Sequence, residues 1–372
     1  MSRRPSFDPG FSTDELAHIY SPEGTVDAML EFEASLALAL ADAGIAPLSE
    51  AEAVASACRA GVESPDEVLA ATWDRGTPVT TLREIVTSTI ADEGARRWFH
   101  YGATSQDAVD TGQMIQAAAA LESVATGLVS IAMSLRHITV EHRGRAHRGR
   151  TFLQDAQPTT LGFRTATWLD AVLDHIEDGR AQRDSLVVQL GGPVGTMEEY
   201  GDGAADVRSA LAERLDLGVP LISWHATRGR IRSLAQSLAS SARTMAKIAT
   251  DVAVLASSEI AEIRTRSGES SSMPGKENPV DSFRAIAASA ACSGAVAMLS
   301  SAPPNELDRG VGGWHAEWIA LPLAFQTAGA SIEAIDRCLQ SFEPRDTVGE
   351  AVTIPGAEAQ IDQVLERFGR FV

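Results

Sequence analysis

Residues 231–255, IRSLAQSLASSARTMAKIATDVAVL, carry the pattern that decides the fold. Large apolar side chains recur at steps of three, four or seven residues, as a helix with one buried stripe requires; they are Leu234, Leu238, Met245, Ile248, Val252 and Leu255. The spacing continues through Ile260 and Ile263 with no Gly or Pro in between. The pattern predicts one long helix from about residue 231 to residue 263.

Four further stretches show the same periodicity. Their apolar stripes are Met114, Leu121, Val124, Leu128, Ile131 and Leu135; Pro158–Leu161, Thr165, Trp168, Val172 and Ile176; Val280, Phe283, Ile286 and Ala290; and Trp318, Leu321, Phe325, Ala328, Ile332 and Ile335. Alternating strand patterns bounded by turn residues are nearly absent, which argues against a parallel-sheet enzyme. Five long amphipathic helices therefore predict an all-α bundle.

The chain is predicted to divide into three parts. Residues 1–98 read as a smaller N-terminal helical domain and residues 99–323 as the central long-helix bundle. Residues 324–372 are too few for an independent core and are expected to form a short C-terminal helical cap.

Charge and composition narrow the class of function. The formal net charge is −19, because 50 acidic residues outnumber 31 Lys and Arg, and a field of that sign repels nucleic acid and anionic membranes. The N-terminus has no signal-peptide pattern. The apolar segments read as interrupted by charged or polar residues before membrane-spanning length, so a cytoplasmic location is expected. Cys58, Cys292 and Cys338 form no ligand or disulfide spacing and read as core thiols.

The segment RTRSGESSSMPGKENPVDSF, residues 264–283, separates two of the striped helices. It is rich in Ser, Gly and Pro, with many backbone donors and little to bury, so it suits wrapping an anion. Lys276 is one of two lysines in the chain, and Asn278 is one of two asparagines. A plain linker is the alternative interpretation of this composition.

Residues 270–279, SSSMPGKENP, resemble the signature loop of the fumarase/aspartase superfamily, which reads G-S-S-x-M-P-x-K-x-N-P. Glu269 stands where the family usually has Gly. HYGATSQDAVDTGQ, residues 100–113, resembles the superfamily's first motif, and RTFLQDAQPTTLG, residues 150–162, resembles its second. The likeness spans roughly residues 99–300. It implies an obligate homotetramer in which three subunits build each site, acting on a small polycarboxylate. The sequence has no nucleotide-binding motif and no metal-ligand spacing, so neither a cofactor nor a metal is expected.

Within the superfamily, five segments resemble the bacterial branch that lactonises 3-carboxy-cis,cis-muconate. Two of them, HYGATSQD and RTFLQ, lie in the motifs above, and the others are QLGGPVGT at 189–196, WHATRGRI at 224–231 and GGWHAEW at 312–318. Gly275 departs from this branch, which commonly has His there. The resemblance implies lactonisation to 4-carboxymuconolactone through an aci-carboxylate intermediate.

An aci-carboxylate carries two negative charges, so fixed hydroxyl and N–H donors must hold it. Thr104, Ser105 and Gln106 precede one long helix, and Thr151 and Gln154 precede another, which makes all five candidate substrate-binding residues. Helix capping is the alternative role for the Thr and Ser hydroxyls.

By resemblance, Ser270 transfers the proton at the α carbon, and Lys276 and Asn278 hold a substrate carboxylate. Serine is a poor base unless its anion is stabilised, and composition alone does not choose among Ser270 and its two serine neighbours. His100 is a candidate for lining the site. Arg309 is a candidate for binding a third carboxylate, with a solvated loop arginine as the alternative.

Phe152 is the most informative departure from the superfamily pattern. Several members carry His at this position, where it handles protons on the leaving side. An amine or hydroxide needs protonation to leave, whereas a carboxylate does not, so Phe fits lactonisation. The same argument admits β-elimination that gives fumarate and a stable anion such as nitrite. A non-enzymatic structural protein is a third alternative, against which Ser270, Lys276 and Asn278 argue.

Overall fold

The computed structural model describes residues 8–345 and 351–371. Fourteen α-helices occur within them: α1 Asp14–Ile19, α2 Pro22–Asp42, α3 Leu48–Arg59, α4 Pro65–Ala70, α5 Thr72–Arg75, α6 Pro78–Thr89, α7 Glu93–Arg96, α8 Ser105–Glu141, α9 Leu161–Asp184, α10 Ala204–Arg214, α11 Gly229–Leu255, α12 Val280–Ser301, α13 Gly313–Gln340 and α14 Pro355–Phe368. Two short 3-10 helices span Asp8–Phe11 and Glu198–Gly203. Four strands form two antiparallel pairs: β1 Ala146–Thr151 pairs with β2 Gln154–Thr160 as a hairpin, and β3 Ile263–Arg264 pairs with the distant β4 Glu343–Pro344.

The five predicted long helices are α8, α9, α11, α12 and α13, and the all-α bundle is confirmed. They run alternately up and down, since His225 before α11 and Trp314 at the start of α13 both contact the first turns of α8. At the other end, Arg150 after α8 contacts Glu262 after α11. Their striped faces meet in a core whose largest buried side chains include Trp168, Phe325 and Phe32.

The start of α9 falls at the late limit of its predicted range, residues 158–161, whereas the predicted end of α11 was wrong. The second helix of the bundle, α9, begins at Leu161 because Pro158 lies in β2, and Thr160 caps the helix by accepting a hydrogen bond from the N–H of Phe163 at 3.0 Å. Helix α11 ends at Leu255, and Ile263 belongs to β3. The carbonyl of Leu255 instead accepts from the N–H of Glu262, which folds the chain back toward the strand pair.

The apolar segments are longer than the sequence interpretation allowed. Helices α8 and α12 each contain an apolar window that by length and composition alone would reach across a membrane. Both windows belong to helices of the bundle, and α8 also buries Asp107 and Asp110 in its first turns. Cys58, Cys292 and Cys338 are all buried, as expected of core thiols.

The N-terminal helices pack on one flank of the bundle, with α2 against α3, α8 and α10. Helix α14 packs on α9 and α8, where Arg367 pairs with Asp170 and Asp174. Helix α13 continues without a break across residues 323 and 324. The division into three domains stays a prediction.

Candidate active site

The carboxylate of Asp107 organises the start of α8. It accepts hydrogen bonds from the N–H groups of Thr104, Gly191 and Gly192, each at 2.9 Å, and from Nε2 of His225 at 2.7 Å. The bond to Thr104 caps the helix, where a negative charge is also favoured by the helix dipole. Asp107 is completely buried, so these donors replace the water that its charge would otherwise require.

Three separate sequence segments converge on this carboxylate: residues 100–113, 189–196 and 224–231. Glycine permits the approach, because a Cβ on Gly191 would lie 2.5 Å from Oγ of Ser223 and 2.8 Å from Cε1 of His225. A Cβ on Gly102 would lie 2.6 Å from the ring of Tyr200. The first motif is therefore held rigidly against two loops of the same chain.

Arg228 forms a second buried cluster one helical turn further along α8. It donates to Asp110 at 2.6 and 2.9 Å and to Glu317 on α13, and Trp314 Nε1 donates to Asp110 at 2.9 Å. Trp224 packs against the guanidinium, whose carbon lies 4.8 Å from the ring centroid. One arginine thus balances two buried carboxylates and ties α8, α11 and α13 together.

His100 lies beside this region in a left-handed backbone conformation, with φ of 60°. Its Nδ1 is 2.5 Å from Oε1 of Glu33 on α2. Burial lowers the pKa of His100, but the charge and hydrogen bond of Glu33 outweigh it, so the net shift of the pKa is upward. His100 is therefore protonated more readily than a free histidine.

The candidate binding residues at the start of α8 differ in whether their polar atoms already have hydrogen-bond partners within the protein. Arg309 donates from Nη2 to Oγ1 of Thr104, while its buried Nε has no partner among the described residues. Ser105 is half-buried in the first turn. Gln106 is buried, and its Nε2 donates to the carbonyl of His225 at 2.9 Å and to Asp110 at 3.2 Å. Thr104, Ser105 and Arg309 thus present a cation and hydroxyls at a helix N-terminus, which suits an anion.

The hairpin after α8 carries Thr151 and Gln154, which pair across a two-residue turn. Phe152 and Leu153 form that turn with φ of 52° and 60°, a geometry that favours Asn and Gly and is strained for bulky residues. Phe152 is 99% exposed. Such strain is retained where the tip has a function, so the hairpin tip is a candidate part of a binding site.

The loop before α12 carries Ser270, Lys276 and Asn278. Oγ of Ser270 accepts hydrogen bonds from the N–H of Met273 at 3.0 Å and of Ser272 at 3.4 Å. Such donors stabilise an oxyanion at that oxygen. Lys276 is exposed and makes no ion pair with a described residue. Asn278 is half-buried, and its main-chain carbonyl accepts a hydrogen bond from the N–H of Gly268 at 2.9 Å.

The structure places the three motifs at two ends of the bundle. Helix α8 has 37 residues and is therefore about 55 Å long, with the first motif at its start and the hairpin just after its end. Arg150 of the hairpin is bound to Glu262 at 2.6 and 2.9 Å, which places the segment leading into the loop at the hairpin end. Across the described residues, no hydrogen bond or ion pair joins the first motif to either of the others.

Sequence reasoning missed the buried polar clusters around Asp107 and Arg228. Asp107 and His225 are 118 positions apart, and Arg228 and Glu317 are 89 apart. The only signal was their place inside segments that match the superfamily. No group of three His, Cys, Asp or Glu with metal-binding geometry occurs within residues 8–345 and 351–371.

The fold and these motifs define a class of helical-bundle enzymes that carry a serine-rich loop between two long helices. The chain belongs to the lyase family, in the fumarase/aspartase superfamily, and residues 10–292 match the model of that family. It is 37% identical over 337 residues to the 3-carboxy-cis,cis-muconate cycloisomerase of Pseudomonas aeruginosa, which covers 88% of this chain and 73% of that protein.

One further relative and one solved structure are similar to most of this chain. The nitrosuccinate lyase of Streptomyces davaonensis is 34% identical over 320 residues, covering 82% of this chain and 67% of that protein. The crystal structure of the 3-carboxy-cis,cis-muconate lactonizing enzyme of Pseudomonas putida aligns with a TM-score of 0.86 at 32% identity, covering 98% of this chain and 80% of that one. The chain is an enzyme of this superfamily.

Proposed function

We propose that the chain converts 3-carboxy-cis,cis-muconate to 4-carboxymuconolactone. The observation that carries the proposal is the hairpin tip, residues 151–154, which reads Thr-Phe-Leu-Gln and holds no side chain that could protonate a leaving group at neutral pH. Carbon–oxygen bonds formed or broken by a carboxylate need no such group. The cycloisomerases of Pseudomonas aeruginosa and Pseudomonas putida, at 37% and 36% identity, support the same choice of chemistry.

The proposed reaction has two steps. A carboxylate oxygen of the substrate adds to the carbon β to a second carboxylate, and the π electrons move onto that second group to give an aci-carboxylate. Ser270 then donates its hydroxyl proton to the α carbon and recovers a proton from solvent. One carbon–oxygen bond forms, one carbon–carbon π bond is lost, and one proton is taken up. The N–H groups of Met273 and Ser272 stabilise the transient Ser270 oxyanion.

The remaining candidates bind the substrate's charges. Lys276 and Asn278 are proposed to hold one carboxylate, and Arg309 with Thr104 a further one at the start of α8. Arg309 suits this role because its Nε has no partner among the described residues. We assign His100, Ser105, Gln106, Thr151 and Gln154 to the walls of the site. Gln106 differs from the others in that its amide is already bonded within the protein, so it would act by holding the helix start in place.

We further propose that the chain works as a homotetramer in the cytoplasm. One chain holds its two half-sites about 55 Å apart, so a complete site needs the start of α8 from one subunit and the hairpin and loop from others. Exposed apolar side chains on the bundle helices provide the surface: Met133 and Val140 on α8, Phe283, Ile286 and Met298 on α12, and Ile319 on α13. Sedimentation at nanomolar concentration should show no stable, active monomer.

The substrate is tested by incubating the protein separately with 3-carboxy-cis,cis-muconate and with nitrosuccinate. Consumption of the muconate with formation of the lactone supports the proposal, and the Ser270→Ala variant serves as the control for background lactonisation. Release of fumarate and nitrite with no lactone formed would instead establish the second candidate, β-elimination. That candidate is favoured by the same hairpin tip, since nitrite also leaves without a proton, and by the 34% identity to nitrosuccinate lyase.

A further inference from the structure

Glu277 lies in the loop before α12, between Lys276 and Asn278, the two residues proposed to hold a substrate carboxylate. Two arginines already bind its own carboxylate. Arg264 of β3 donates to Oε1 from Nη2 and, at 3.1 Å, from Nε, and Arg345 donates to Oε2 from Nη2 at 3.0 Å. These bonds, chiefly the one from Arg264, hold the pKa of Glu277 below its ordinary value. We call the three side chains of Glu277, Arg264 and Arg345 the clasp.

Arg345 reaches the loop from a distant part of the chain. It directly follows β4, which pairs with β3, and its N–H donates to the carbonyl of Glu262 at 2.9 Å. Its own carbonyl accepts from Nη2 of Arg145, just before β1, at 2.8 Å. The backbone of Arg345 thus joins the base of the hairpin to the segment that leads into the loop, while its guanidinium binds the loop itself. Arg345 lies beyond residue 292, where the match to the family model ends.

The loop is closed next to the clasp. The N–H of Gly268 donates to the carbonyl of Asn278 at 2.9 Å, which brings the two sides of the loop together. Between them the loop borders a cavity of about 520 Å³, whose lining includes Ser270, Lys276 and Glu277. The place of Lys276 relative to Ser270 therefore depends on how the neighbouring Glu277 is held.

Exposure and charge indicate what the clasp contributes. The side chains of Glu277, Arg264 and Arg345 are 38%, 55% and 41% exposed, and exposed ion pairs add little to the free energy of unfolding. Two arginines on one carboxylate leave one positive charge in excess beside the ammonium of Lys276. A substrate carboxylate bound there would meet no repulsion from a free Glu277. The clasp is therefore suited to placing and neutralising Glu277 and not to stabilising the fold.

We propose that the clasp is a positioning device, which sets the carboxylate-binding end of the loop against Ser270. Its residues act through Lys276 and Asn278 and do not touch the substrate. A displacement of about 1 Å in a reacting pair can cost roughly a hundredfold in rate, so a small shift of the loop is enough to matter. The inference rests on the function proposed above, from which the roles of Ser270 and Lys276 are taken.

Glu277→Gln and Arg345→Gln in the whole protein test the clasp, since Arg345→Gln removes the guanidinium and keeps both backbone hydrogen bonds. Each variant should lower kcat on 3-carboxy-cis,cis-muconate by about tenfold or more, with an unchanged melting temperature. Both keep the ammonium of Lys276, so KM should change far less than in Lys276→Ala. The double variant should be no slower than Glu277→Gln, because both changes break the same contact. Arg345→Lys keeps the charge and should stay within about threefold of the wild type.

Amide hydrogen exchange measures the order of the loop without any reaction. The N–H groups of Gly268 and Met273 are bonded within the loop at 2.9 and 3.0 Å. Exchange in residues 266–278 should become about tenfold faster in Glu277→Gln and in Arg345→Gln, while exchange in α8 stays unchanged. Arg370→Gln is the matched control, because it breaks an exposed pair with Glu366 that has the same 3.0 Å separation, and it should change neither measurement.

The two measurements separate a failure of the clasp from a failure of the proposed reaction. If the wild type converts nitrosuccinate and not the muconate, the proposed function is wrong, and kcat on nitrosuccinate then decides the role of the clasp. With no turnover of either substrate, the exchange result alone decides it. Unchanged loop exchange in both variants would overturn the inference, and so would faster exchange with wild-type kcat. An additive loss in the double variant would also overturn it, since Arg345 would then act on the substrate directly.

Discussion

The two ends of the helical bundle are built in opposite ways. At the start of α8, Asp107 and Arg228 are buried, and their charges are met by partners from three segments of the same chain. At the hairpin end, Phe152 and Lys276 face solvent, and Oγ of Ser270 accepts hydrogen bonds from N–H groups of its own loop. We call the start of α8 the finished end, because its buried charges have partners within one chain. We call the hairpin tip and the loop with Ser270 and Lys276 the displayed end, because side chains there face solvent. The difference supports the proposal that another subunit completes the displayed end.

The largest effect is expected at the displayed end. Ser270→Ala should lower turnover by about two orders of magnitude or more, because it removes the group proposed to deliver the proton. Binding should change little, since the hydroxyl is small and uncharged. Steady-state kinetics on the lactonisation reaction measure both quantities.

Ser271→Ala is the matched control in the same loop and should keep near-normal turnover. The reverse outcome, with Ser271→Ala inactive and Ser270→Ala active, would show that the proton is carried by the neighbouring serine. Phe152→His should gain no activity, because no group that needs a proton leaves in the proposed lactonisation.

Lys276→Ala should act on binding and not on the chemical step. The ammonium would pair with a substrate carboxylate in both the ground state and the transition state, so its loss should raise KM by roughly ten- to hundredfold with kcat nearly unchanged. Lys247→Ala, which removes a lysine paired with Asp251 on α11, is the control. A fall in kcat with constant KM would assign Lys276 to the proton transfer instead.

At the finished end the expected loss is one of stability. Arg228→Ala strands Asp110 and Glu317 without their cation, at a cost of about 3–5 kcal/mol. Arg264→Ala, which breaks an exposed pair with Glu277 at the other end, should hardly change the melting temperature. Thermal unfolding at one fixed protein concentration compares the two variants. Equal melting temperatures of the two variants would contradict the claim that the buried ion pairs of Arg228 stabilise the fold more than the exposed pair of Arg264.

The smallest effect concerns His100. Its pKa lies above the ordinary 6.5, so the stability it contributes is fully present below pH 6.5 and is lost as the pH rises through the folded-state pKa. Glu33→Gln should lower the pKa of His100 and flatten this part of the pH profile. NMR titration of the ring protons checks the shift, and an unchanged pKa would contradict the assigned role of Glu33.

The sequence predicted the helices well wherever the apolar stripe coincided with the helix. It placed the end of α11 too late because Ile260 and Ile263 keep the helical spacing after the chain has turned. It missed β1 and β2 because nothing in Phe152–Leu153 signals a hairpin turn, and it therefore counted Pro158 of β2 in the stripe of α9. Two-residue turns are normally recognised by Asn or Gly, and here two bulky residues occupy left-handed positions.

The candidate site was predicted one motif at a time. Local sequence marks Thr104, Thr151 and Ser270 through their resemblance to known motifs, but it has no information on distance. That α8 separates the first two by about 55 Å follows only from its unbroken length. The partners of Asp107 could not be predicted, because His225 and Gly191 reach it through tertiary packing.

The sharing of each site between subunits is tested most directly by complementation. Arg309→Ala damages the finished end and Ser270→Ala the displayed end, so each variant alone should be nearly inactive. Co-expressed in equal amounts, they should form mixed tetramers in which roughly a quarter of the sites receive an intact residue from each contributing subunit. Activity should therefore recover to roughly a quarter of the wild-type value. Mass spectrometry should first show that both chains occur in one tetramer. If such a mixed preparation stays as inactive as either variant alone, the sharing of sites between subunits is contradicted.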